Sequence, residues 1–345
     1  MRQYLRRLAT RLVDYEKLDD EEEGQLQERD PELCLILADL ALFGLLLWFL
    51  SPLFSLLRHN KEMFSAHVTV TGDDRSEPVH LVNQMPRIFH QTCKNETIPK
   101  IWAGSQQSCI KAYSGFEYKL WTDKRARDFL QSEYPWFLDT WDNYPFPIQR
   151  ADAIRYFVLY HYGGIYLDMD TMCHQAFPID QIETNLSHNS LFEATLPTGI
   201  TNDIMISSAK HPAFASAISR LPTFHRLTRF WARLQPYAAI MVSTGPLFIT
   251  LATAEYLYGL PSLPSPTVQV INSTHLRPYI TDLQTATWHG GDARVLKWLA
   301  DKPLVWFILG TMAVIVGIYA LNKLSVGFLK LSSYLLESGL KQGYD

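Results

Sequence analysis

Two long apolar stretches constrain what this chain can fold into. Leu33–Leu57 (LCLILADLALFGLLLWFLSPLFSLL) holds one charge, Asp39, and one proline, Pro52, and Leu304–Leu321 (LVWFILGTMAVIVGIYAL) holds no charge. Crossing a bilayer takes about 20 helical residues at a rise of about 1.5 Å, and core helices of water-soluble domains rarely stay uncharged over such lengths. Both stretches are read as transmembrane helices, in which Pro52 and Gly310 are tolerable. A cleaved leader is not expected, because polar and acidic residues fill positions 1–32. The expected organisation is an N-terminal cytosolic tail (1–32), a first span (33–57), a polar linker (58–85), a catalytic-size domain (86–302), a second span (303–321) and a C-terminal tail (322–345). Asp39 is costly at bilayer depth. It calls for a hydrogen bond to the other span, with Thr311 as a candidate, for a partner subunit, or for snorkelling to the interface.

The rest of the composition excludes two classes. A content of 47% hydrophobic residues with a net charge of −4 is incompatible with a disordered chain. The balance of 31 Lys+Arg against 35 Asp+Glu gives no basic excess for nucleic acid.

Orientation is a balance of opposing signals. Sequons at Asn95, Asn185 and Asn272 all lie between the spans, more than the about one expected from composition, and place that domain in a lumen if they are used. Lys and Arg on both flanks of the spans are neutral to mildly contrary to that placement. In a lumen Cys93 and Cys109 are candidates to pair, leaving Cys173 over.

Within the middle domain, Arg87–Gln91 and Glu117–Trp121 read as strands, the second ending at an N-cap, Thr122 or Asp123. Pro147–Tyr162 reads as a helix with proline at its start and Gly163-Gly164 at its end. Ile165–Leu167 and a segment near Asn202–Ser207 read as further strands, and 211–220 and 246–258 as helices. Strands interleaved with helices imply an α/β sheet that binds ligands at strand C-terminal ends.

Asp168-x-Asp170 then falls at a strand end. Two carboxylates this close repel unless a cation lies between them, and oxygen-only ligation selects a hard divalent ion that bridges to phosphates. Taken alone such a pair is as well explained by a solvated turn. Its surroundings carry more: Asp152 and Arg155 share a helix face at i,i+3, and Tyr166 precedes the pair. A phosphodiesterase is disfavoured because no HxH or HD metal cluster accompanies these residues.

The run from Arg150-Ala-Asp152-Ala-Ile-Arg155 through Gly163-Gly164-Ile-Tyr166-Leu-Asp168-Met-Asp170 resembles glycosyltransferase family 32, the DXD sugar transferases. The resemblance extends from Pro86-Arg-Ile-Phe-His-Gln91 to Trp288-His289-Gly290. The two flanking spans, Thr201-Asn-Asp-Ile-Met205 and Trp288-His289-Gly290 narrow it to the branch that mannosylates inositol phosphorylceramide. Cys93 departs from the tryptophan common at that place, so any Cys93–Cys109 bridge is particular to this chain or a close group.

The resemblance implies an α/β, GT-A-type (Rossmann-like) single catalytic domain between two transmembrane helices. It also implies GDP-mannose as donor, Mn²⁺ (or Mg²⁺) as cofactor, retention at the anomeric carbon, and a two-pass Golgi membrane protein with a luminal domain. By this resemblance Asp168, Asp170 and His289 hold the metal, and Asp168 also meets the donor ribose. Asp152 and Arg155 hold the nucleotide-sugar, Tyr166 lines the nucleotide pocket, and Asn202 or Asp203 lies near the anomeric carbon and acceptor. A regulatory membrane subunit is an expected partner. Only 15 residues separate His289 from Leu304, at most about 50 Å of chain. Trp298 and Trp306 fall where aromatic belts form. That short tether favours an acceptor in the membrane. The alternatives are a mannosyltransferase extending protein N-glycans and a non-catalytic membrane scaffold, the latter disfavoured by the intact Asp152, Arg155, Asp168 and Asp170 set.

Overall fold

A computed structural model of the chain describes residues 39–48, 50–60, 62–64, 85–182, 187–195, 198–261, 263, 265, 267–283, 285, 290–300 and 302–342. It separates into two compact units, one formed by Met1–Ser51 with Trp298–Asp345, the other by Pro52–Lys297.

Helix α1 (Asp39–Trp48, resuming as Leu50–Asn60) begins in the first unit and continues past Ser51 into the second. Pro52 lacks the N–H that would reach the Trp48 carbonyl. The hydroxyl of Ser51 donates to the Trp48 carbonyl at 2.7 Å instead. The second apolar stretch lies in the helix Pro303–Gln342, whose segment Ile308–Gly327 is long and apolar enough to cross a membrane and has no buried residue among those described. The expected tail after 321 therefore continues as helix to Gln342, since no proline interrupts a sequence rich in Leu, Lys and Ser. Asp39 accepts a hydrogen bond from the Asn322 side chain at 2.9 Å. Its polar partner is thus in its own chain, one residue beyond the expected span and eleven residues past Thr311.

The second unit is built on a six-stranded mixed sheet in the order β2-β1-β3-β6-β5-β7. Its strands are β1 (Ile88–Cys93), β2 (Glu117–Thr122), β3 (Gly164–Leu167), β5 (Ser190–Ala194), β6 (Ile200–Ser207) and β7 (Val268–Ile271). Strands β2, β1 and β3 are parallel, β6 runs antiparallel to β3 and β5, and β5 is parallel to β7. The sheet is therefore not the all-parallel kind of a Rossmann half. A two-stranded antiparallel ribbon, β4 (Thr171–Cys173) with β8 (Ile280–Asp282), stands beside it.

Strand alternation sends successive side chains to opposite faces, and the core follows it. Tyr166, Phe192 and Met205 point to one buried cluster, with Phe157, Phe214 and Phe248 from the helices α5 (Pro147–Tyr162), α6 (Pro212–Thr228) and α8 (Pro246–Tyr258). Ile165, Leu167, Leu191 and Ile206 point to the other, with Cys109 and Tyr113 at the end of α2 (Lys100–Ala112). Leu56, Met63 and Phe64 belong to the first cluster, and the Asn60 side chain accepts from the Gly199 N–H at 3.1 Å. The start of the expected polar linker is thus folded into the domain, because its apolar residues recur at helical spacing.

The expected strand and helix pattern around the motif is present. Helix α5 spans the expected Pro147–Tyr162, and the Thr122 side chain caps α3 (Asp123–Glu133) by accepting from the Arg125 N–H at 3.2 Å. Gly163 and Gly164 have φ of 68° and 95°, and a Cβ on Gly164 would lie 2.4 Å from the Ile88 carbonyl oxygen. Only glycine fits that turn and that close approach to β1. Helices α7 (Pro236–Ser243) and α8 together are long and apolar enough to cross a membrane, yet the stretch is 61% buried within this unit. Its apolarity serves the core.

One cysteine assignment is corrected. Cys109 bonds Cys173 across a sequence separation of 64, with Cα atoms 4.7 Å apart, and Cys93 is buried as a free thiol. Cys93 ends β1 and lines the main cavity, whereas β4 runs directly past α2 and brings Cys173 to Cys109.

Candidate active site

Where β3 ends, Asp168-Met-Asp170 forms a tight turn into β4, closed by a hydrogen bond from the Thr171 N–H to the Asp168 carbonyl at 3.1 Å. The Ser105 hydroxyl on α2 donates to the Met169 carbonyl at 2.6 Å and braces the turn from behind. The disulfide anchors the strand that leaves it. The two carboxylates open into a cavity of about 940 Å³, which Asp152, Arg155, Asn202 and Asp203 also line.

Arg155 organises this floor. One of its terminal nitrogens lies 3.1 Å from Asp168 Oδ1 and donates to the Asn202 carbonyl at 2.7 Å, while the other lies 3.0 Å from Asp152 Oδ1. The guanidinium stacks over the Tyr166 ring at 4.6 Å. Arg155 is only 2% exposed, so its charge is compensated by these carboxylates and not by water. Asp152 is fully engaged: Oδ1 also accepts from the Asn202 amide at 3.2 Å and Oδ2 accepts from the Thr244 hydroxyl at 3.0 Å.

Tyr166 is placed differently from the expectation. It is completely buried, not on the cavity wall, and its hydroxyl donates to Asp168 Oδ1 at 2.7 Å while bonding the Thr92 hydroxyl at 2.9 Å. Alternation along β3 turns Tyr166 toward the helix-covered face, so it orients Asp168 from beneath. Asn202 is likewise tied, donating to the Tyr156 hydroxyl at 3.0 Å as well as to Asp152. Trp288 and His289 lie outside the described residues, and so does Asn185.

Four contributors were not foreseen from sequence. Thr285 donates to Asp170 Oδ2 through both its N–H (3.1 Å) and its hydroxyl (2.8 Å), and Trp102 donates to that hydroxyl at 3.2 Å. Asp282 lines the cavity, and Glu193 on β5 interacts electrostatically with both Asp203 and Asp282. A charged residue inside the apolar run Ser190–Ala194 was the available signal for Glu193; nothing local marks Thr285.

The carboxylates are under-neutralised. Burial pushes Asp168 up to about 7, with Arg155 pulling it back and Asp203 and Asp170 pushing further. Burial and the charges of Asp203 and Asp282 push Glu193 up to about 8. Asp203 is also raised, mainly by burial. A cluster of oxygen ligands whose charges raise one another fits a hard divalent cation. Among the described residues no group of three His, Cys, Asp or Glu side chains is arranged to hold a metal ion.

Residues 99–191 match the family model described as the glycosyltransferase sugar-binding region containing the DXD motif. Inositol phosphoceramide mannosyltransferase 2 of Schizosaccharomyces pombe is 39% identical over 244 residues, 69% of this chain and 66% of that protein. Mannosyl phosphorylinositol ceramide synthase SUR1 of Saccharomyces cerevisiae is 37% identical over 231 residues, 66% of this chain and 57% of that protein. Inositol phosphoceramide mannosyltransferase 1 of S. pombe is 32% identical over 245 residues, 69% of this chain and 72% of that protein. The chain spans less than two thirds of the length of the first two. Together with the DXD turn, the arginine that holds it and the mixed α/β sheet beneath, these matches place the chain in glycosyltransferase family 32, the DXD sugar transferases.

Proposed function

We propose that this chain transfers mannose from GDP-mannose to inositol phosphorylceramide, with a GT-A-type catalytic domain held at a Golgi membrane by its two apolar helices. The observation that carries the reading is the DXD turn opening, beside Arg155, into a cavity large enough for a nucleotide-sugar. The names of the relatives supply the acceptor class.

Asp168 and Asp170 would hold the divalent cation, Mn²⁺ or Mg²⁺, with His289 as a further ligand. When bound, that ion neutralises charge developing on the diphosphate. Arg155 and Tyr166 fix the Asp168 carboxylate, and Thr285 fixes that of Asp170, so neither has to reorganise as charge moves. Asp152, locked by three donors, sets the position of Arg155 at the cavity. Asn202 and Asp203 border the space for the anomeric carbon. The bond from that carbon to the phosphate oxygen breaks, the acceptor oxygen attacks from the same face, and the departing phosphate takes the acceptor proton, giving retention.

The Cys109–Cys173 disulfide supports an oxidising compartment. The sequons at Asn95 and Asn272, both on exposed residues, support the same luminal side.

The test is transfer of labelled mannose by the full chain in detergent, with GDP-mannose, Mn²⁺ and inositol phosphorylceramide. Labelled lipid that disappears in Asp170→Ala supports the reading. Label on protein N-glycans but not on lipid overturns the acceptor, and a covalent mannosyl adduct on Asp203 overturns front-face attack.

A further inference from the structure

Away from the catalytic cavity, on the other side of the short helix α4 (Leu138–Asp142), lies a second cavity of about 620 Å³. Helix α4 separates the two: Trp141 lines the first, whereas Asp139 and Thr140 line the second. Arg226, Arg229 and His225 line its other side. Among the described residues neither arginine has a carboxylate partner at salt-bridge distance; Arg226 reaches only the Thr223 hydroxyl at 3.3 Å, and Arg229 lies over the Phe230 ring at 4.7 Å. His225 is 5% exposed, and its buried Nδ1 has no hydrogen-bond partner. A buried polar atom without a partner is rare.

The chain leaving this cavity has a second peculiarity. Between Arg226 and Gln235 each arginine is followed by a large apolar residue: Arg226-Leu227, Arg229-Phe230 and Arg233-Leu234. They form a mixed cationic and apolar stripe of sequence that begins in the last turn of α6 and continues over the hydrogen-bonded turns that run to Gln235. The apolar stripe is not buried. Leu227 is 48% exposed, Phe230 78% and Leu234 85%, and Trp136 at the cavity mouth is 54% exposed. Isolated exposed apolar residues need no explanation, but a continuous stripe flanked by cations does.

We propose that this face is a docking site for a bilayer bearing anionic headgroups: Leu227, Phe230 and Leu234 enter the acyl boundary, and one anionic lipid headgroup is held between Arg226 and Arg229, beside His225. The occupant follows from complementarity. A soluble protein partner would satisfy the apolar stripe but would not account for a cationic recess behind it; a free phosphate would fill the recess but leave the stripe in water. An anionic lipid surface satisfies both, because arginine stems lie along apolar surface with their heads at headgroup level. The inference rests on the chain residing at a membrane, not on the sugar chemistry proposed above.

The test is amide hydrogen exchange of the full chain in nanodiscs, read over residues 222–235. Nanodiscs containing phosphatidylinositol are compared with phosphatidylcholine nanodiscs, and with the latter plus soluble glycerophosphoinositol. Exchange slowed in the anionic discs is expected, by about fivefold per arginine engaged, and the slowing should vanish in Arg226→Gln/Arg229→Gln and in Phe230→Ser/Leu234→Ser. Exchange over β1 and β3 reports whether each variant remains folded. Equal exchange in all discs overturns the proposal. Equal slowing in neutral discs overturns the contact with an anionic headgroup, and equal slowing by the soluble headgroup overturns the membrane as the occupant. None of these readings requires mannose transfer, so failure of the proposed reaction leaves them intact.

Discussion

Arg155 joins Asp152 and Asp168 through separate nitrogens, at 3.0 Å and 3.1 Å. One buried cation thereby ties helix α5 to the turn after β3, and the geometry of the DXD motif depends on a residue 13 positions upstream of it. Arg155→Gln should lower stability by about 3–5 kcal/mol, the usual result of leaving buried charges unpaired. Thermal unfolding with and without Asp152→Asn checks this. The double variant should recover part of the loss, since it removes one of the orphaned carboxylates.

Thr285 supplies both of the described donors to Asp170 Oδ2. Thr285→Val removes the hydroxyl and keeps the N–H, so the carboxylate should lose orientation without a change of charge. Affinity for Mn²⁺, measured by electron paramagnetic resonance with GDP present, should fall about tenfold. Asp170→Asn should cost more, and an unchanged affinity in both would remove Asp170 from the metal site.

His90 accepts from the Trp121 indole at 3.0 Å and donates its other ring N–H to the Gly163 carbonyl at 2.9 Å. Burial lowers its pKa to about 4, and burial lowers that of His211 to about 4 as well. Between pH 4 and 6.5 the unfolded chain binds more protons at these sites than the folded one. The contribution of these two histidines is therefore full above about 6.5 and declines as pH falls toward 4, by on the order of 3 kcal/mol per histidine, whereas Asp168 and Glu193, held at about 7 and about 8, contribute in the opposite direction over the same range. The difference in denaturant midpoint between the unsubstituted chain and His90→Gln, followed from about pH 7 to about pH 4, isolates the His90 contribution and should change in the sense of its loss at low pH.

The Cys109–Cys173 bond closes a long loop that contains α5 and the DXD turn. Replacing both cysteines by alanine should cost roughly 4 kcal/mol on a chain-entropy argument. Cys93, already a free buried thiol, should behave otherwise. Cys93→Ala should leave the non-reducing gel mobility unchanged, and a mobility shift on reduction that depends on Cys93 would contradict the assigned pairing.

Much of this protein was legible without coordinates wherever the determinant is local. Helix α5 follows from a proline start and a diglycine stop, and the position of Asp168 and Asp170 from their place at a strand end. Tertiary structure decided what depends on remote segments meeting. Cys173 pairs with Cys109 because β4 passes α2; Tyr166 supports Asp168 from below because strand alternation turns it inward; Asn322 partners Asp39 because two helices 283 residues apart come together. Thr285, Glu193 and Asp282 join the site for the same reason. Only the charge inside an apolar run hinted at Glu193; nothing local marks Thr285 or Asp282, which reach the turn because β8 pairs with β4, the strand that leaves it.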